Sequence, residues 1–400
     1  MGRHVWGVTY NREYVKQQEL KYKLKEYQLE PEDLERLSWE MTDLYNSNLI
    51  TEADRRFRDK LIEVLNEKLK NVYPGGYLAC GGSTVSNCGT TTSDIDLCYV
   101  LKTSDYYGEK DLPIVMYKEG RDRLLKVNHF ILNRIGAILK DLDAVKSIKL
   151  VDATVPIVKM QINTKLLGIS QVDKTIEVDI NCNCVAGVYN SFLLGGLVNF
   201  DRRLAILSVI LKKWGKQVKI VDEKRFNSYA LVLLVVHYLQ CGVYPPVLPN
   251  LMHLLPDKYG GTIEPRHLTT SIEGLPDHIY EVKRNEMNVG ELLMGFLKYY
   301  ADFEMTAMDV RVKTGEVIEK RNSQIRKGDW SAFFLEEPYD EITVPKNLRL
   351  SFDLDFILKQ FRDMADLMYK NPTLSTLYSI TNPSRSKKQQ LREQEEDEDI

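Results

Sequence analysis

Two aspartates, Asp94 and Asp96, are separated by one residue in the otherwise mostly apolar segment SDIDLCYV. Alternate side chains of a β-strand point to opposite faces, so both carboxylates would lie on one face, with Ile95 and Leu97 on the other. Two carboxylates this close raise each other's pKa unless a cation neutralises them. Oxygen ligands at this spacing suit Mg²⁺, which keeps waters and substrate phosphates in its coordination shell. The pair therefore predicts a metal site.

A two-metal phosphoryl transfer usually needs a further carboxylate beyond a first pair. The later segment TIEVDINC alternates polar and apolar residues, which predicts a strand with Glu177 and Asp179 on one face. Either acid could complete the metal site. Alternatively, both acids lie on the solvated face of an edge strand, where alternating charge is common.

A glycine turn precedes the first pair of aspartates. Gly81, Gly82 and Ser83 follow the strand-like segment YLAC and come before a short helix-like segment. Unhindered backbone with free N–H groups can meet a phosphate at such a point, and Ser83 adds a hydroxyl. The alternative is a plain tight turn.

The elements that would position these residues change in type along the chain. Helical periodicity predicts amphipathic helices at 34–49 and 51–73, with Thr51 as the N-cap of the second. Strands are predicted at 77–83, 93–101, 145–151, 155–162 and 175–182, and a helix is predicted at 118–142. Together they indicate a mixed sheet with helices. Further helices are predicted at 191–200, 203–217, 228–240, 290–303 and 355–369. The predicted fold class is α+β.

A chain of 400 residues is expected to form more than one core, since single cores stop growing beyond roughly 250 to 300 residues. The expected divisions are N-terminal helices at 1–64 that pack on the helical domain, a mixed-sheet domain at 65–185, a helical central domain at 186–380 and a charged tail at 381–400. The tail is almost devoid of apolar residues and is expected to be disordered.

The composition is typical of a soluble protein. The chain is 44% apolar and 28% charged, and it contains no run of about 18 uncharged apolar residues that could span a bilayer. Its first residues lack the apolar core and cleavage site of a signal peptide, so we expect a cytoplasmic protein with no membrane contact. A net charge of −3 argues against a broad nucleic-acid-binding face but does not exclude local basic patches.

Two other patterns favour packing over chemistry. Cys182 and Cys184 could be a zinc pair, but no second Cys or His pair at zinc-finger spacing accompanies them. His237 lies in an apolar helical segment and is predicted to be a packed, hydrogen-bonded histidine.

The order of these motifs resembles the nucleotidyltransferase superfamily that includes DNA polymerase beta. More narrowly, it resembles the cytoplasmic poly(A) polymerases of the germline-development type and their uridylyltransferase relatives. The matching segments, in family order over roughly residues 30 to 370, are GGSTVSNCGTTTSDIDLC, VDINCNCVAGVYNSFLL, LKKWGKQ, NSYALVLLVVHYLQ and LEEPYDE. Motifs in a shared order are more specific than any single one.

The resemblance implies a role for each matching position. Asp94, Asp96 and Asp179 would hold Mg²⁺, with Mn²⁺ as the alternative ion, and Asp179 would act on the attacking 3′-hydroxyl of an RNA end. The implied nucleotide contacts are Gly82, Ser83, Asn183, Ser191, Lys212, Lys216, Ser228, Tyr229, Glu337 and Asp340. The nucleotide would lie in a cleft between the two domains.

Some of these positions also have plain structural alternatives. Lys212 and Lys216 are four residues apart on one helix face, where they could contact one phosphate chain or simply form a solvated face. The ring of Tyr229, next to Ser228, could stack on any base or belong to the core. Glu337 could cap its own loop instead of contacting a nucleotide, and the same holds for Asp340.

Two departures from the family pattern concern the sugar and the base. The family usually has two adjacent asparagines after the third aspartate, but here Asn183 is followed by Cys184, so Ser191 could supply the sugar contact instead. In the recognition loop 333–346, uridylyl-adding relatives typically have a histidine where this chain has Thr343. Because an imidazole can bond a pyrimidine and obstruct a purine, its absence favours ATP.

The sequence therefore predicts a template-independent RNA nucleotidyltransferase, a poly(A) polymerase that uses ATP. The alternatives are a uridylyltransferase that uses UTP and a catalytically degenerate scaffold for RNA-binding partners. No RNA-binding module is visible in the sequence, so we expect an RNA-binding partner protein to supply substrate choice.

Overall fold

A computed structural model of the protein describes residues 4–5, 8–9, 29–73, 75–101, 121–152, 155–168, 174–281, 284–320 and 331–379. The predicted tail at 381–400 lies outside these residues. The strands are β1 (His4–Val5), β2 (Val8–Thr9), β3 (Tyr77–Cys80), β4 (Ile95–Val100), β5 (Val145–Val151), β6 (Ile157–Asn163), β7 (Thr175–Cys182), β8 (Met308–Arg311) and β9 (Glu316–Glu319).

Most of the described residues outside the strands are helical. The α-helices are α1 (Pro31–Asn48), α2 (Glu52–Leu69), α3 (Gly82–Ser86), α4 (Arg121–Lys140), α5 (Val185–Phe200), α6 (Arg203–Gln217), α7 (Ser228–His237), α8 (Leu251–Leu254), α9 (Pro256–Tyr259), α10 (His278–Glu281), α11 (Val289–Asp302), α12 (Ser351–Lys370) and α13 (Leu374–Ser379). A π-helical turn, Tyr238–Gly242, continues α7, and Pro265–His267 forms a 3₁₀ turn. Within the described residues, no helix is long and apolar enough to cross a membrane.

The chain forms two compact units, and one contains a five-stranded mixed sheet. This sheet unit comprises Asn48–Arg202 and Leu251–Leu275. Its strand order is β3-β4-β7-β6-β5, with β4 and β7 parallel and the other neighbours antiparallel. The buried side chains of β4, Ile95, Leu97 and Tyr99, pack in one core with α2, α4 and the remaining strands. The α+β class and the mixed sheet are confirmed.

The boundaries of this unit differ from the predicted domains. We expected the helices before residue 65 to pack on the helical domain, but Leu61, Leu65 and Leu69 of α2 are buried in the core of the sheet unit. An amphipathic stripe shows that a helix is half-buried but does not show against which partner. Helix α5 also belongs to the sheet unit, although it was predicted to open the helical domain.

Helix α2 begins where the sequence predicted it, after an N-cap at Thr51. The Thr51 side chain accepts a hydrogen bond from the backbone N–H of Asp54, and the Asp54 carboxylate accepts one from the N–H of Thr51. This capping box satisfies backbone donors that the first helical turn leaves unpaired. The predicted N-cap at Thr51 is confirmed.

The second unit is mainly helical and comprises Met1–Ser47, Arg203–Asn250 and Pro276–Ile400. Helix α1 lies in this unit, where Ser38 Oγ donates a hydrogen bond of 2.7 Å to Asn288 at the start of α11. The core is rich in rings, with Trp214 of α6 packed 5.4 Å from Phe361 of α12 between ring centroids. Phe361 also packs against Phe296 of α11. Aromatic pairs at these distances stabilise a core beyond the area that they bury.

His237 is buried in this unit, as predicted. Its Nδ1 lies 2.8 Å from the Tyr300 hydroxyl, which donates its proton to the carbonyl of Leu234. The imidazole must therefore donate from Nδ1, and its Nε2 meets no hydrogen-bond partner within the described part of the chain. Burial lowers the pKa of the imidazole to about 3.

We expect acid to destabilise the helical unit through His237. The folded pKa of about 3 lies below the usual value near 6.5, so the unfolded chain binds the extra proton first as the pH falls. This contribution to stability is complete above pH 6.5 and is lost between pH 6.5 and 3, by up to about 1.4 kcal/mol per pH unit. Chemical denaturation of His237→Phe should show a flatter pH dependence than wild type in this window. An unchanged slope would contradict this.

Candidate active site

The two central strands bring the predicted acids together. In the parallel pair of β4 and β7, Asp96 and Asp179 are register partners. On the other side of β7, the register partner of Asp179 is Lys159 of β6. Because register partners point to the same face of a sheet, two carboxylates and one ammonium lie side by side on three neighbouring strands.

Lys159 lies among the carboxylates of this face. Its Nζ is 2.7 Å from Glu177, 3.7 Å from Asp179 Oδ1 and 3.9 Å from Asp94 Oδ2. Asp94, immediately before β4, is therefore near Asp179 as well. Sequence analysis did not single out Lys159, because its proximity to the acids depends on the order of the strands.

The environment of Asp179 differs from that of Glu177. The Asp179 side chain is 20% exposed, and its Oδ1 is buried and accepts no hydrogen bond from the described residues. Burial raises the pKa of Asp179, the Lys159 charge opposes this, and Asp94 and Glu177 add to it. Glu177 accepts a hydrogen bond from Gln161 and pairs with Lys159, and these contacts lower its pKa. Asp179 is thus the acid placed to act with Asp96.

The residues present fit a divalent metal ion by their chemistry. Asp94, Asp96 and Asp179 offer hard oxygen ligands, and the buried Asp179 Oδ1 lacks a hydrogen-bond donor that would otherwise satisfy it. Within the described ranges, no three His, Cys, Asp or Glu side chains already converge closely enough to hold an ion. Binding of a metal ion would therefore require side chains of this face to move, including the Lys159 ammonium.

Gly82 allows the Asp96 carboxylate to lie against the backbone of the glycine turn. Its φ is +62°, and a Cβ built there would lie 1.8 Å from Asp96 Oδ2. The Gly81 N–H also donates a hydrogen bond of 2.9 Å to the carbonyl of Asp96. The turn and the acidic strand are therefore fitted to each other, and any side chain at position 82 would disturb both.

Helix α5 fastens the glycine turn through Ser191. The Gly82 N–H donates to Ser191 Oγ at 2.7 Å, and Ser191 donates its own proton to the carbonyl of Gly187 at 2.6 Å. Ser191 is 4% exposed. Ser191 thus holds the turn and occupies the Gly82 N–H that was predicted to meet a phosphate. The sugar contact of Ser191 stays a prediction.

Ser83 remains accessible at the first turn of α3. Its side chain lies close to Gly89, where an added Cβ would be 2.4 Å from Ser83 Cβ. The residue is partly exposed. Its hydroxyl therefore stays a candidate for contact with a phosphate.

Arg58 supports the glycine turn and the acidic strand from the buried side of α2. The guanidinium donates to Thr84 Oγ1 at 2.9 Å and to the carbonyl of Ser93 at 2.8 Å, and it lies 3.4 Å from the carbonyl of Asp94. It is 1% exposed. Burial lowers its pKa, and nearby acids, including Asp94 and Asp96, raise it. Sequence analysis missed this residue, although its position on the apolar stripe of α2 was a usable signal.

The chain turns sharply after β7 at Asn183, which has a φ of +55°. Asn183 Oδ1 accepts a hydrogen bond of 2.9 Å from the N–H of Leu101, at the end of β4. The Cys184 N–H donates to Asn181 Oδ1, and Cys184 precedes α5 without a side-chain cap. Cys182 is buried in the sheet core. The ribose contact of Asn183 stays a prediction, with its amide oxygen already engaged.

The other predicted contacts lie in the helical unit. Lys212 is partly exposed and Lys216 is exposed on α6, and Ser228 is the first residue of α7. The Tyr229 hydroxyl is buried near Glu337 and Asp340. Burial raises the pKa of Tyr229, and the negative charges of these acids add to the effect.

The recognition loop 333–346 is held by its own side chains. Glu337 accepts hydrogen bonds from the N–H groups of Tyr339 and Asp340, so it does cap the loop. Thr343 is 1% exposed, and its hydroxyl bonds the N–H of Leu335 and the carbonyl of Phe333. Thr343 therefore serves the loop itself, and its side chain offers no surface to a base.

Comparison with known proteins agrees with this arrangement. Residues 37–196 match the family described as "Poly(A) RNA polymerase, mitochondrial-like, central palm domain", and residues 288–342 match "Cid1 family poly A polymerase". Poly(A) RNA polymerase GLD2 of Homo sapiens is 28% identical over 83% of this chain. The alignment spans 64% of that protein, less than two thirds of its length.

Solved structures show the same fold. A GLD-2/RNP-8 complex matches with a TM-score of 0.70 and 27% identity, covering 87% of this chain and 99% of that chain. The Cid1 poly(U) polymerase matches with a TM-score of 0.62 and 22% identity, covering 85% of this chain and 98% of that chain. The chain is therefore similar in sequence and fold to the GLD2 poly(A) RNA polymerases, which confirms the predicted resemblance.

Proposed function

We propose that the protein is a template-independent RNA nucleotidyltransferase that adds AMP from ATP to RNA 3′ ends. The observation that carries the proposal is the register of Asp96 with Asp179, with Asp94 close by and the Gly82 turn fitted against Asp96. The names of its GLD2 relatives support the choice of reaction.

In this reaction the 3′-oxygen of the RNA attacks the α-phosphorus of ATP, forming one P–O bond while the bond to the β-phosphate oxygen breaks. Pyrophosphate leaves with the electron pair, and the hydroxyl proton passes to a base at the acidic site. Asp179 is placed for that role, because its carboxylate lies beside Asp96 and its Oδ1 is buried without a hydrogen-bond donor among the described residues.

Asp94, Asp96 and Asp179 would hold Mg²⁺ or Mn²⁺, which when bound would lower the pKa of the 3′-hydroxyl and neutralise charge on the leaving pyrophosphate. Ser83 would contact the phosphates. Lys212, which is partly exposed on α6, and Lys216, which is exposed, are proposed to add positive charge along the triphosphate.

Two features of the whole protein are also proposed. Solved GLD-2 structures include complexes with RNP-8 and with GLD-3. By analogy, we expect this chain to obtain its RNA from an RNA-binding partner protein. We also propose that it acts in the cytoplasm, which cell fractionation would test.

The function is tested by incubating purified protein with an RNA ending in adenosines, Mg²⁺ and each nucleotide separately. We expect extension with ATP, its loss in Asp96→Ala, and its retention in Asp143→Ala, which removes an exposed aspartate outside the site. Extension with UTP alone would establish the uridylyltransferase alternative. Absence of extension with every nucleotide, in Mg²⁺ and in Mn²⁺ and with a partner protein present, would favour the scaffold alternative.

A further inference from the structure

Lys159 has an unusual setting for a lysine on the open face of a sheet. Its side chain is 32% exposed, and its ammonium lies within 3.9 Å of oxygens from Asp94, Glu177 and Asp179. The contact is set by the fold, since Lys159 and Asp179 are register partners in β6 and β7. The strand pairing therefore places one positive charge at the centre of the acidic face, which is formed by Asp94, Glu177 and Asp179.

The acidic face needs a compensating cation. Carboxylates this close repel one another unless positive charge lies between them, and the effect is strongest where water is partly excluded. Asp179 shows this most clearly, because its Oδ1 is buried, accepts no hydrogen bond from the described residues and lies 3.7 Å from the Lys159 ammonium. An ammonium on a flexible stem can supply the charge without fixed coordination geometry.

The distances from the Lys159 ammonium to the three carboxylates differ. Its shortest contact, 2.7 Å, is with Glu177, which Gln161 also holds by a hydrogen bond of 3.2 Å. Its contacts with Asp94 and Asp179 are longer, at 3.9 and 3.7 Å. Movement of the ammonium away from the two aspartates would therefore leave its ion pair with Glu177 in place.

We propose that Lys159 is a tethered cation that takes the place of a divalent ion among the aspartates when none is bound, and that Glu177 holds its ammonium when an ion enters. The proposal rests on the metal-dependent function proposed above. Lys159 thereby stabilises the ion-free protein and weakens ion binding by competition. Glu177 becomes a positioning residue for Lys159 and not a metal ligand.

Lys149 provides a matched control. It is the register partner of Lys159 on β5, so it lies on the same face one strand further from the aspartates. It is exposed. Lys149→Met removes the same charge as Lys159→Met but leaves the Lys159 ammonium beside Asp94 and Asp179. Lys159→Arg keeps the charge and serves as the conservative variant.

The test measures stability and ion binding without any RNA. In EDTA, Lys159→Met should melt at a lower temperature than wild type, Lys149→Met and Lys159→Arg, and saturating Mg²⁺ should close the gap. Mn²⁺ binding, followed by electron paramagnetic resonance, should tighten about two- to fivefold in Lys159→Met alone, as expected for removal of a partly exposed ion pair.

Each alternative result has a separate meaning. A melting temperature lowered equally with and without Mg²⁺, or unchanged Mn²⁺ affinity, would mean that Lys159 has only a structural role and would overturn the inference. If wild type extends RNA with ATP but the ion-binding results fail, the inference alone is wrong. If the ion-binding results hold but wild type extends no RNA, the proposed function fails while the tethered cation stands.

Discussion

Gly82→Ala is expected to reduce the rate of the proposed AMP addition by at least about 100-fold, the loss that a displacement of about 1 Å at a reacting centre can cause. An alanine Cβ would lie 1.8 Å from Asp96 Oδ2, and the φ of +62° at this position is rarely adopted by residues with a side chain. The Asp96 carboxylate must move, the turn must change its backbone conformation, or both. Single-nucleotide extension of an RNA end measures the effect.

A second glycine of the same unit supplies the control. Gly136 lies within α4, and a Cβ built there would come no closer than 4.0 Å to Val158. Gly136→Ala should therefore preserve activity and raise stability by about 0.5–1 kcal/mol, because alanine favours a helix interior. If folded Gly82→Ala extends RNA at the wild-type rate, the fit between the turn and Asp96 has no part in catalysis.

The sequence predicted the acidic site because its pattern is local. The spacing of Asp94 and Asp96 and the alternation around Asp179 each fix the face of a strand without knowledge of the rest of the fold. Confirmation that Asp179 lies beside Asp96 needed the pairing of β4 with β7, which motif order implied and the register shows. Local patterns therefore identified the acids, and the pairing of the strands determined their proximity.

The residues that were missed depend on partners distant in sequence. Lys159 contacts Asp179 only because β6 lies next to β7 in one register, and alternation within β6 carries no information about that neighbour. The bond between Ser191 and the Gly82 N–H joins residues 109 positions apart, so the sequence did not show that Ser191 holds the turn.

The sequence also did not show which of the two units helix α2 packs in. Its apolar residues repeat at helical spacing, which predicted the helix and its N-cap correctly. The same stripe could have packed on either unit, and the structure places it on the sheet. The one charged member of the buried stripe, Arg58, was the indication that this helix reaches a polar site.

Arg58 links α2 to both segments that shape the site. Its guanidinium binds Thr84 in α3 and the carbonyl of Ser93, just before the acidic strand. These segments are separated along the chain, so one buried cation fixes their relative position. A planar guanidinium with several donors can satisfy such dispersed acceptors, whereas a lysine offers a single point of charge.

Arg58→Met is therefore expected to lower the free energy of unfolding by on the order of 3 kcal/mol, because buried acceptors lose a charged donor. It should also slow AMP addition by about 10- to 100-fold in the fraction that remains folded. The reason is that the segment leading into β4, which carries Asp94 and Asp96, loses its hydrogen bond from Arg58. Denaturant unfolding and single-nucleotide extension measure the two effects. Arg56→Met, on the exposed side of the same helix, should change neither. Equal stability of the two variants would show that the Arg58 contacts do not hold the site together.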